Sequence, residues 1–417
     1  MISSTSRSKG RLMRILTLST IYPTEHNDSI GRSVAFLDRA LAQTGVSGVT
    51  LFFRPWIPSF LARRAKRWRH LALDNRVERD NGLAVVYDRY LHLPRRHRLD
   101  LSARFMAWKA EKLIRRHRWE FDLIHGQSIF PAGLAAYLLS RKHRVPFVLT
   151  LRDSLGHLED MRSRQRPAFF SIVEAMFRRA KAVFAHGPGI LRDLPRYLPK
   201  DGSVRAVLAP NGVDVEGIRE KVAGFSPSLP RGGRHLVSVG HLFRIKGIHE
   251  NLEALRILDE RGFRDWRYTV VGDGPFRREL QTLTKEWGLE GRVEFSGKVP
   301  NREALLKICE GDIFSLPSWE EAFGNVYAEA AVCGRPAIGC RGLGAELTIR
   351  DGETGILVPP KDVPALAEAL LLLLTHPERA RRMGEEAQKH IRQFTWERTA
   401  RIYKEAIENF LSGGTAH

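Results

Sequence analysis

The densest group of residues able to do chemistry lies in PSWEEAFGNVYAEAAVCGRPAIG, residues 317–339. Glu321 and Glu329 stand eight positions apart there and flank Phe323, Gly324 and Asn325. Gly324 and Asn325 suit the start of a helix running to about Val332. That places Glu321 in the loop after a strand and Glu329 about one turn into the helix. Backbone N–H groups at a helix start have no partner within the helix and favour anions, so the interval between the two acids is a ready anion site. One carboxylate can hold sugar hydroxyls and the other a ribose diol. The spacing alone also fits an ordinary loop acid and an ordinary helix acid.

A second group is VGHLFRIKGIHENL, residues 239–252, where Lys246 precedes Gly247 at the start of a helix. A helix end offers about half a positive charge, less than a diphosphate carries, so fixed cations must add to it. Lys246 is placed for that, with Arg244 as an auxiliary. A third group is the first strand–loop–helix, with Ser19, Thr20 and Gly31. A glycine at 31 lets backbone come close to a ligand.

Missing patterns narrow the choice. No G-x-G-x-x-G follows a strand and no Walker A sequence occurs, which counts against nicotinamide enzymes and P-loop kinases. There is no D-x-D, no H-E-x-x-H and no close His/Cys cluster, so neither a metal site nor a required cofactor is expected. His125, His157 and His186 stand beside strand ends and read as structural or hydrogen-bonding residues. No G-x-S-x-G elbow is present. Cys309, Cys333 and Cys340 are odd in number and not in C-x-x-C spacing, which suits a reducing compartment better than a disulfide scaffold.

The elements that must position these groups are short apolar strands alternating with helical periods. Strand-like runs fall at 13–20, 49–54, 83–88, 121–126, 146–151, 182–187 and 204–210. Helical periods lie between them, from about Gly31 to Gln43, over 101–118 and over 166–181. The pattern restarts at 235–240 and continues through 267–272, 292–297, 313–317, 336–340 and 355–358. Such alternation predicts parallel sheets covered on both faces. The Gly/Pro/Ser-rich stretch 223–234 reads as a linker. The expected fold is therefore α/β, with two consecutive Rossmann-like, doubly wound domains facing a cleft. The first spans 1–222 and the second 235–395. A C-terminal helix and tail, 396–417, present Trp396, Ala400, Tyr403 and Ile407 on one face and pack back toward the first domain.

With these motifs in place, the chain resembles a retaining glycosyltransferase of family 4, with the GT-B fold. The resemblance runs from about Met13 to Phe410. APNGVD (209–214), VGHLFRIKG (239–247), VVGDGP with FSGKVP (270–275, 295–300), EEAFGNVYAEA (320–330) and AELTIRDGETGILVPP (345–360) carry it in the family's order. FDLIHGQSIFPAGLAA (121–136) and PFVLTLRDS (146–154) fit less specifically. The resemblance implies that Glu321 contacts hydroxyls of the transferred sugar and that amides near Gly324 and Asn325, beside Phe323, hold the sugar and distal phosphate. It implies that Glu329 binds the ribose diol, Lys246 neutralises the diphosphate, Gly31 approaches from the other domain, and backbone at Lys298 and Val299 faces the base. His125, Arg152 and Asp153 fall on the acceptor or sugar side. Two departures stand out. His241 occupies a position usually held by Arg, and Arg152 one often held by His. Ala322 in place of a usual Gly is a smaller change.

The implied reaction moves a sugar from a nucleotide-diphosphate sugar to a glycan or lipid-linked acceptor, without metal, in cell-surface polysaccharide or glycolipid synthesis. A nucleotide-sugar epimerase, a sugar phosphorylase or a non-catalytic sugar-nucleotide-binding scaffold remains the alternative on the same fold.

Charge adds a partner. The net charge is +20, and residues 1–200 hold 37 Lys and Arg against 16 Asp and Glu, whereas residues 201–417 hold 30 against 31. A basic half suggests an anionic partner. The stretch IPSFLARRAKRWRHLA, 57–72, combines cations with an apolar stripe and suits a membrane interface or, equally, packing on the core. Arg95, Arg96, His97 and Arg98 form a second cluster. No zinc-finger spacing or RNP-like string supports nucleic acid binding. No run of 18 apolar residues exists to span a membrane, and the Ser/Arg/Lys-rich first ten residues have no apolar signal core. The expected location is cytoplasmic, with peripheral attachment to the inner face of the membrane.

Overall fold

The computed structural model describes residues 13–24, 31–56, 76–80, 83–91, 99–152, 155, 156, 158, 167–225 and 234–412. The basic stretch 57–72, the cluster 95–98, Asp153 and His157 lie outside the described residues. The chain divides into two compact units: Met1–Ala185 with Asp193–Ala209 and Trp396–His417, and His186–Arg192 with Pro210–Thr395.

The first unit holds an eight-stranded sheet: β1 (Met13–Ser19), β2 (Val46–Pro55), β3 (Arg76–Asp80), β4 (Leu83–Tyr90), β5 (Leu123–Gln127), β6 (Phe147–Leu151), β7 (Ala182–Ala185) and β8 (Arg205–Leu208). Their order is β3-β4-β2-β1-β5-β6-β7-β8. Every residue of β5 and β6 is buried, as a strand covered on both faces requires. All pairings are parallel except β3 with β4. The antiparallel edge strand β3 was not expected, because RVERD has neither an apolar run nor alternation. It is held by backbone pairing and by Arg76, whose guanidinium lies 4.5 Å from the Tyr87 ring centroid. Helices α1 (Arg32–Gln43), α2 (Leu99–His117), α3 (Leu134–His143) and α4 (Pro167–Arg179) accompany the sheet.

The C-terminal helix Trp396–Leu411 belongs to this unit. Trp396, Ala400, Tyr403 and Ile407 recur at helical spacing and join one buried cluster with Ile15, Leu37, Leu123 and Phe184. The Tyr403 ring stacks on Phe184 at 3.9 Å, and Trp396 stacks on Phe36 at 5.6 Å. Each such buried aromatic contributes about 1.5–3 kcal/mol, so this helix is integral to the first unit's core.

The second unit holds a six-stranded, wholly parallel sheet of β9 (His235–Val239), β10 (Arg267–Val271), β11 (Val293–Gly297), β12 (Ile313–Ser315), β13 (Ala337–Cys340) and β14 (Gly355–Val358). Their order is β11-β10-β9-β12-β13-β14. Its helices include α5 (Val215–Val222), α6 (Ile248–Glu260), α7 (Asn301–Glu310) and α8 (Asn325–Val332). The change of unit falls at Ala209/Pro210, ahead of the stretch 223–234. Val213, Val215, Ile218 and Val222 pack with Leu305, Phe323 and Ile391, which ties α5 to the second unit. Among the described residues no helix is long and apolar enough to cross a membrane.

Candidate functional site

In an open α/β sheet, ligands settle beyond the carboxyl ends of the strands where strand order reverses. In the second unit that point lies between β9 and β12. The chain leaving β9 runs through a 3₁₀ turn at Arg244–Lys246 into α6, and the chain leaving β12 runs through Leu316–Gly324 into α8. These two loops bring Lys246 Nζ within 2.7 Å of Glu321 Oε2, with both side chains mostly buried. Seventy-five residues separate the partners in sequence.

Backbone contacts lock the two loops together. The Trp319 N–H donates to the Ile245 carbonyl at 2.8 Å, and the Ser318 hydroxyl donates to the same oxygen at 3.3 Å. Gly247 has φ 69°, and a Cβ there would stand 2.2 Å from the Pro317 carbonyl oxygen. Only glycine permits this approach. The Trp319 indole N–H donates to Glu250 at 2.9 Å. Burial pushes the Glu250 carboxyl up to about 6, against the pull of that hydrogen bond.

Helix α8 starts at Asn325 with Gly324 as its N-cap. Asn325 Oδ1 accepts a hydrogen bond from Asn211 Nδ2 at 3.1 Å. Asn211, the third residue of APNGVD, joins the site through this contact, which residue type and spacing do not signal. Glu329 accepts from Asn301 Nδ2 at 3.5 Å, and Asn301 in turn accepts from Lys221 Nζ at 3.0 Å. Asn301 opens α7 immediately after Lys298, Val299 and Pro300. Glu329 therefore stands beside the segment assigned to the base.

Three expected donor residues are placed differently from the rest. Phe323 is 2% exposed and fills an apolar cluster against Phe394, so its side chain is an anchor and not a ligand contact. Arg244 is exposed, 3.4 Å from Glu279 and stacked over Phe276, and the structure pairs it there instead of with Lys246. His241 is exposed, with its ring 6.3 Å from that of Phe243.

In the first unit the strand order reverses between β1 and β5. Gly31 caps α1 beyond β1 with φ 81°, and a Cβ there would meet Tyr22 N at 2.4 Å. The unit's own backbone thus requires glycine at this position. Arg152 follows β6 and is fixed from two sides: its Nε donates to Gln127 Oε1 and its Nη1 to Ser33 Oγ, both at 2.8 Å. His125 lies inside β5 and is 1% exposed, which removes it from direct contact with substrate. Its Nε2 shares a 2.7 Å hydrogen bond with the Thr150 hydroxyl, which also meets the Tyr403 hydroxyl at 2.9 Å. Burial, aided by the nearby Arg152 charge, drives the imidazole down to about 3, so it is neutral. Asp38 is buried too, and burial lifts it to about 7 even though it accepts a 2.6 Å hydrogen bond from Thr50 and feels Arg152. His125, Thr150, Gln127, Ser33 and Tyr403 form a neutral scaffold that aims Arg152 at the sheet's carboxyl edge. Sequence alone does not signal this network, since its members come from four separate segments.

Comparison with known proteins bears on the family and the fold. The family model described as glycosyl transferases group 1 matches residues 224–390, and that described as glycosyl transferase 4-like domain matches residues 30–212. D-inositol 3-phosphate glycosyltransferase of Corynebacterium glutamicum is 29% identical over 325 residues, covering 73% of this chain and 77% of that protein. The protein of the same name from Paenarthrobacter aurescens is 30% identical over 305 residues, covering 70% and 74%. Among solved structures, sucrose-phosphate synthase from Thermosynechococcus elongatus superposes with a TM-score of 0.76 at 21% identity, covering 96% of this chain and all of that one. That likeness speaks for the fold.

Proposed function

The chain belongs to family 4 of the GT-B glycosyltransferases, and from that membership we propose that it moves a sugar from a nucleotide-diphosphate sugar to a glycan or lipid-linked acceptor, with retention and without metal. The observation that carries the donor assignment is the Lys246–Glu321 pair at the reversal of the second sheet, beside the N-terminus of α8. Loss of a nucleoside diphosphate leaves negative charge on the departing phosphate and positive character on the sugar. Lys246 and the amides at Gly324 and Asn325 are preorganised for the first, and donors of this kind are worth about 10²–10³ in rate each. Glu321 receives sugar hydroxyls. Glu329, beside Asn301, takes the ribose diol, with the backbone of Lys298 and Val299 toward the base. Gly31 is assigned to the donor, and Arg152, with Asp153, to the sugar or acceptor. In the absence of a placed nucleophile, the departing phosphate accepts the acceptor's proton in a front-face reaction.

The acceptor is a component of cell-surface polysaccharide or glycolipid. Two relatives carry D-inositol 3-phosphate in their names, which makes that compound the first small acceptor to assay. The basic half supports peripheral attachment to an anionic inner membrane face, since each Lys or Arg near such a surface adds about 1 kcal/mol. Sedimentation with vesicles that is indifferent to acidic lipid and to salt would remove that element.

A thermal-shift panel of UDP-, GDP-, ADP- and dTDP-sugars without metal tests the core of the proposal. A ligand that binds only the folded state raises the midpoint by mass action. One selective nucleotide, turned over by the parent and not by a folded Glu321→Ala variant, is the expected result. A folded protein that binds and turns over no member of the panel would overturn it.

A further inference from the structure

At the carboxyl ends of β2 and β4 the first unit has a cavity of about 550 Å³, within the range of small-ligand sites. Trp56, Leu91, Phe105 and Trp108 form its aromatic and apolar wall, with Asp88 and Lys109 among its polar groups. Trp56 is 49% exposed, Leu91 41% and Trp108 56%. Two half-exposed tryptophans beside one cavity form a costly surface that calls for an occupant. Asp88 is only 5% exposed, and its Oδ1 accepts from the Arg89 N–H at 2.7 Å and sits 3.3 Å from Lys109 Nζ. The cavity therefore combines flat aromatic faces with a fixed carboxylate–ammonium pair. The Lys112 ammonium lies 4.1 Å over the Trp108 ring, which holds that indole in place.

We infer that this cavity is a saccharide-binding subsite that holds a sugar ring of the acceptor by stacking on Trp108 and Trp56, with the Asp88–Lys109 pair meeting its hydroxyls. The inference rests on the proposed transfer to a glycan-bearing acceptor. Two observations favour a sugar over a lipid headgroup. The surface is concave, and the ion pair supplies both an acceptor and a donor, as vicinal hydroxyls require. The electron-rich ring faces suit the C–H face of a pyranose. Register gives the subsite a place. Ser19, the last residue of β1, pairs with Phe52, and Trp56 lies four residues farther along the same strand direction. That is about 13 Å beyond the end of β1, farther than one sugar ring reaches. The sugar held here is then remote from the one that would meet Arg152 and Gly31, and the acceptor is an oligosaccharide or a glycosylated lipid.

The test is ¹⁹F NMR of the full chain carrying 5-fluorotryptophan, with the Trp56 and Trp108 signals assigned by phenylalanine substitution. Maltose, cellobiose, lactose, mannobiose and chitobiose are titrated one at a time, and phosphatidylglycerol vesicles separately. The expected result is that at least one disaccharide shifts both signals and leaves the signal of the buried Trp266 unmoved. Trp108→Ala, at a half-exposed position, then weakens that binding about five- to tenfold. If no disaccharide moves either signal, or if only vesicles do, the inference is overturned, and the second outcome makes the patch a membrane face. The nucleotide thermal shift is recorded on the same samples. If nucleotides bind and saccharides fail, only this subsite falls; if nucleotides also fail, the donor reading falls with it.

Discussion

Lys246 and Glu321 offer the sharpest test, because the pair has a structural and a chemical role that can be separated. At 2.7 Å, with side-chain exposures of 20% and 17%, their gross attraction is about 6 kcal/mol at an effective dielectric of 20. Desolvation of both groups removes most of this, so breaking the pair by Lys246→Met, which strands the carboxylate, costs about 2 kcal/mol. For a unit of this size that lowers the unfolding midpoint by about 4–8 °C. Glu321→Gln strands the ammonium with a comparable loss. In the double variant no unpaired charge remains, and stability returns to within about 1 kcal/mol of the parent. Activity does not follow. Release of nucleoside diphosphate from the selected donor falls about 10²–10³-fold in each single variant and at least as far in the double. The readouts are thermal unfolding and a coupled assay of nucleoside diphosphate release. If the double variant regains activity to within about tenfold of the parent as its stability returns, the pair is a brace and the catalytic reading fails.

Other residues give cleaner stability signals. Glu250 is raised from 4.5 to about 6, so the native state holds its proton more tightly than the unfolded chain, and Glu250 costs stability as pH rises through that interval. Glu250→Gln keeps an acceptor for Trp319 and should gain about 1–2 kcal/mol at pH 7 but nothing near pH 4, by denaturant titration at both; an equal effect at both pH values would contradict the assignment. Gly31→Ala forces a Cβ against Tyr22 at positive φ and should destabilise the first unit by about 1–3 kcal/mol; an unchanged midpoint would show that the turn relaxes. Tyr403→Phe deprives buried Thr150 of one partner and should cost about 1 kcal/mol, measured by chemical denaturation, with a neutral result pointing to replacement of that partner by water.

The strands that position the site were legible because parallel sheets bury both faces and so demand continuous apolar runs, as FVLTL in β6 shows. The C-terminal helix was legible from the period of Trp396, Ala400, Tyr403 and Ile407. Edge strand β3 was not, because pairing on one side through backbone leaves RVERD free to be charged. Nor did periodicity say which core Ile218 joins, since a helix face records only that something apolar lies opposite. At the site, residue type and local spacing exposed Lys246, Glu321 and Glu329. They did not reveal that Phe323 is an anchor, that Arg244 pairs with Glu279, or that His125 is sealed in the sheet. Each of these depends on a partner distant in sequence.

The strand order explains why the legible residues were the loop residues. In each unit the sheet starts near its middle and grows outward in both directions, from β1 in one and β9 in the other. The loops after those first strands are therefore flanked by loops that turn away to opposite faces, and the sheet opens there without any special sequence. A site at that place needs only short motifs after two strands, which is how Lys246 and Glu321 meet across 75 residues. What those motifs cannot encode is their own support. Asn211 steadies Asn325 from the segment that enters the second unit, Trp319 leans on buried Glu250, and Gln127 and Ser33 steer Arg152. The chemistry is thus written locally and its precision globally. A substitution in the supporting residues should accordingly alter how tightly substrate is positioned before it alters which groups meet it.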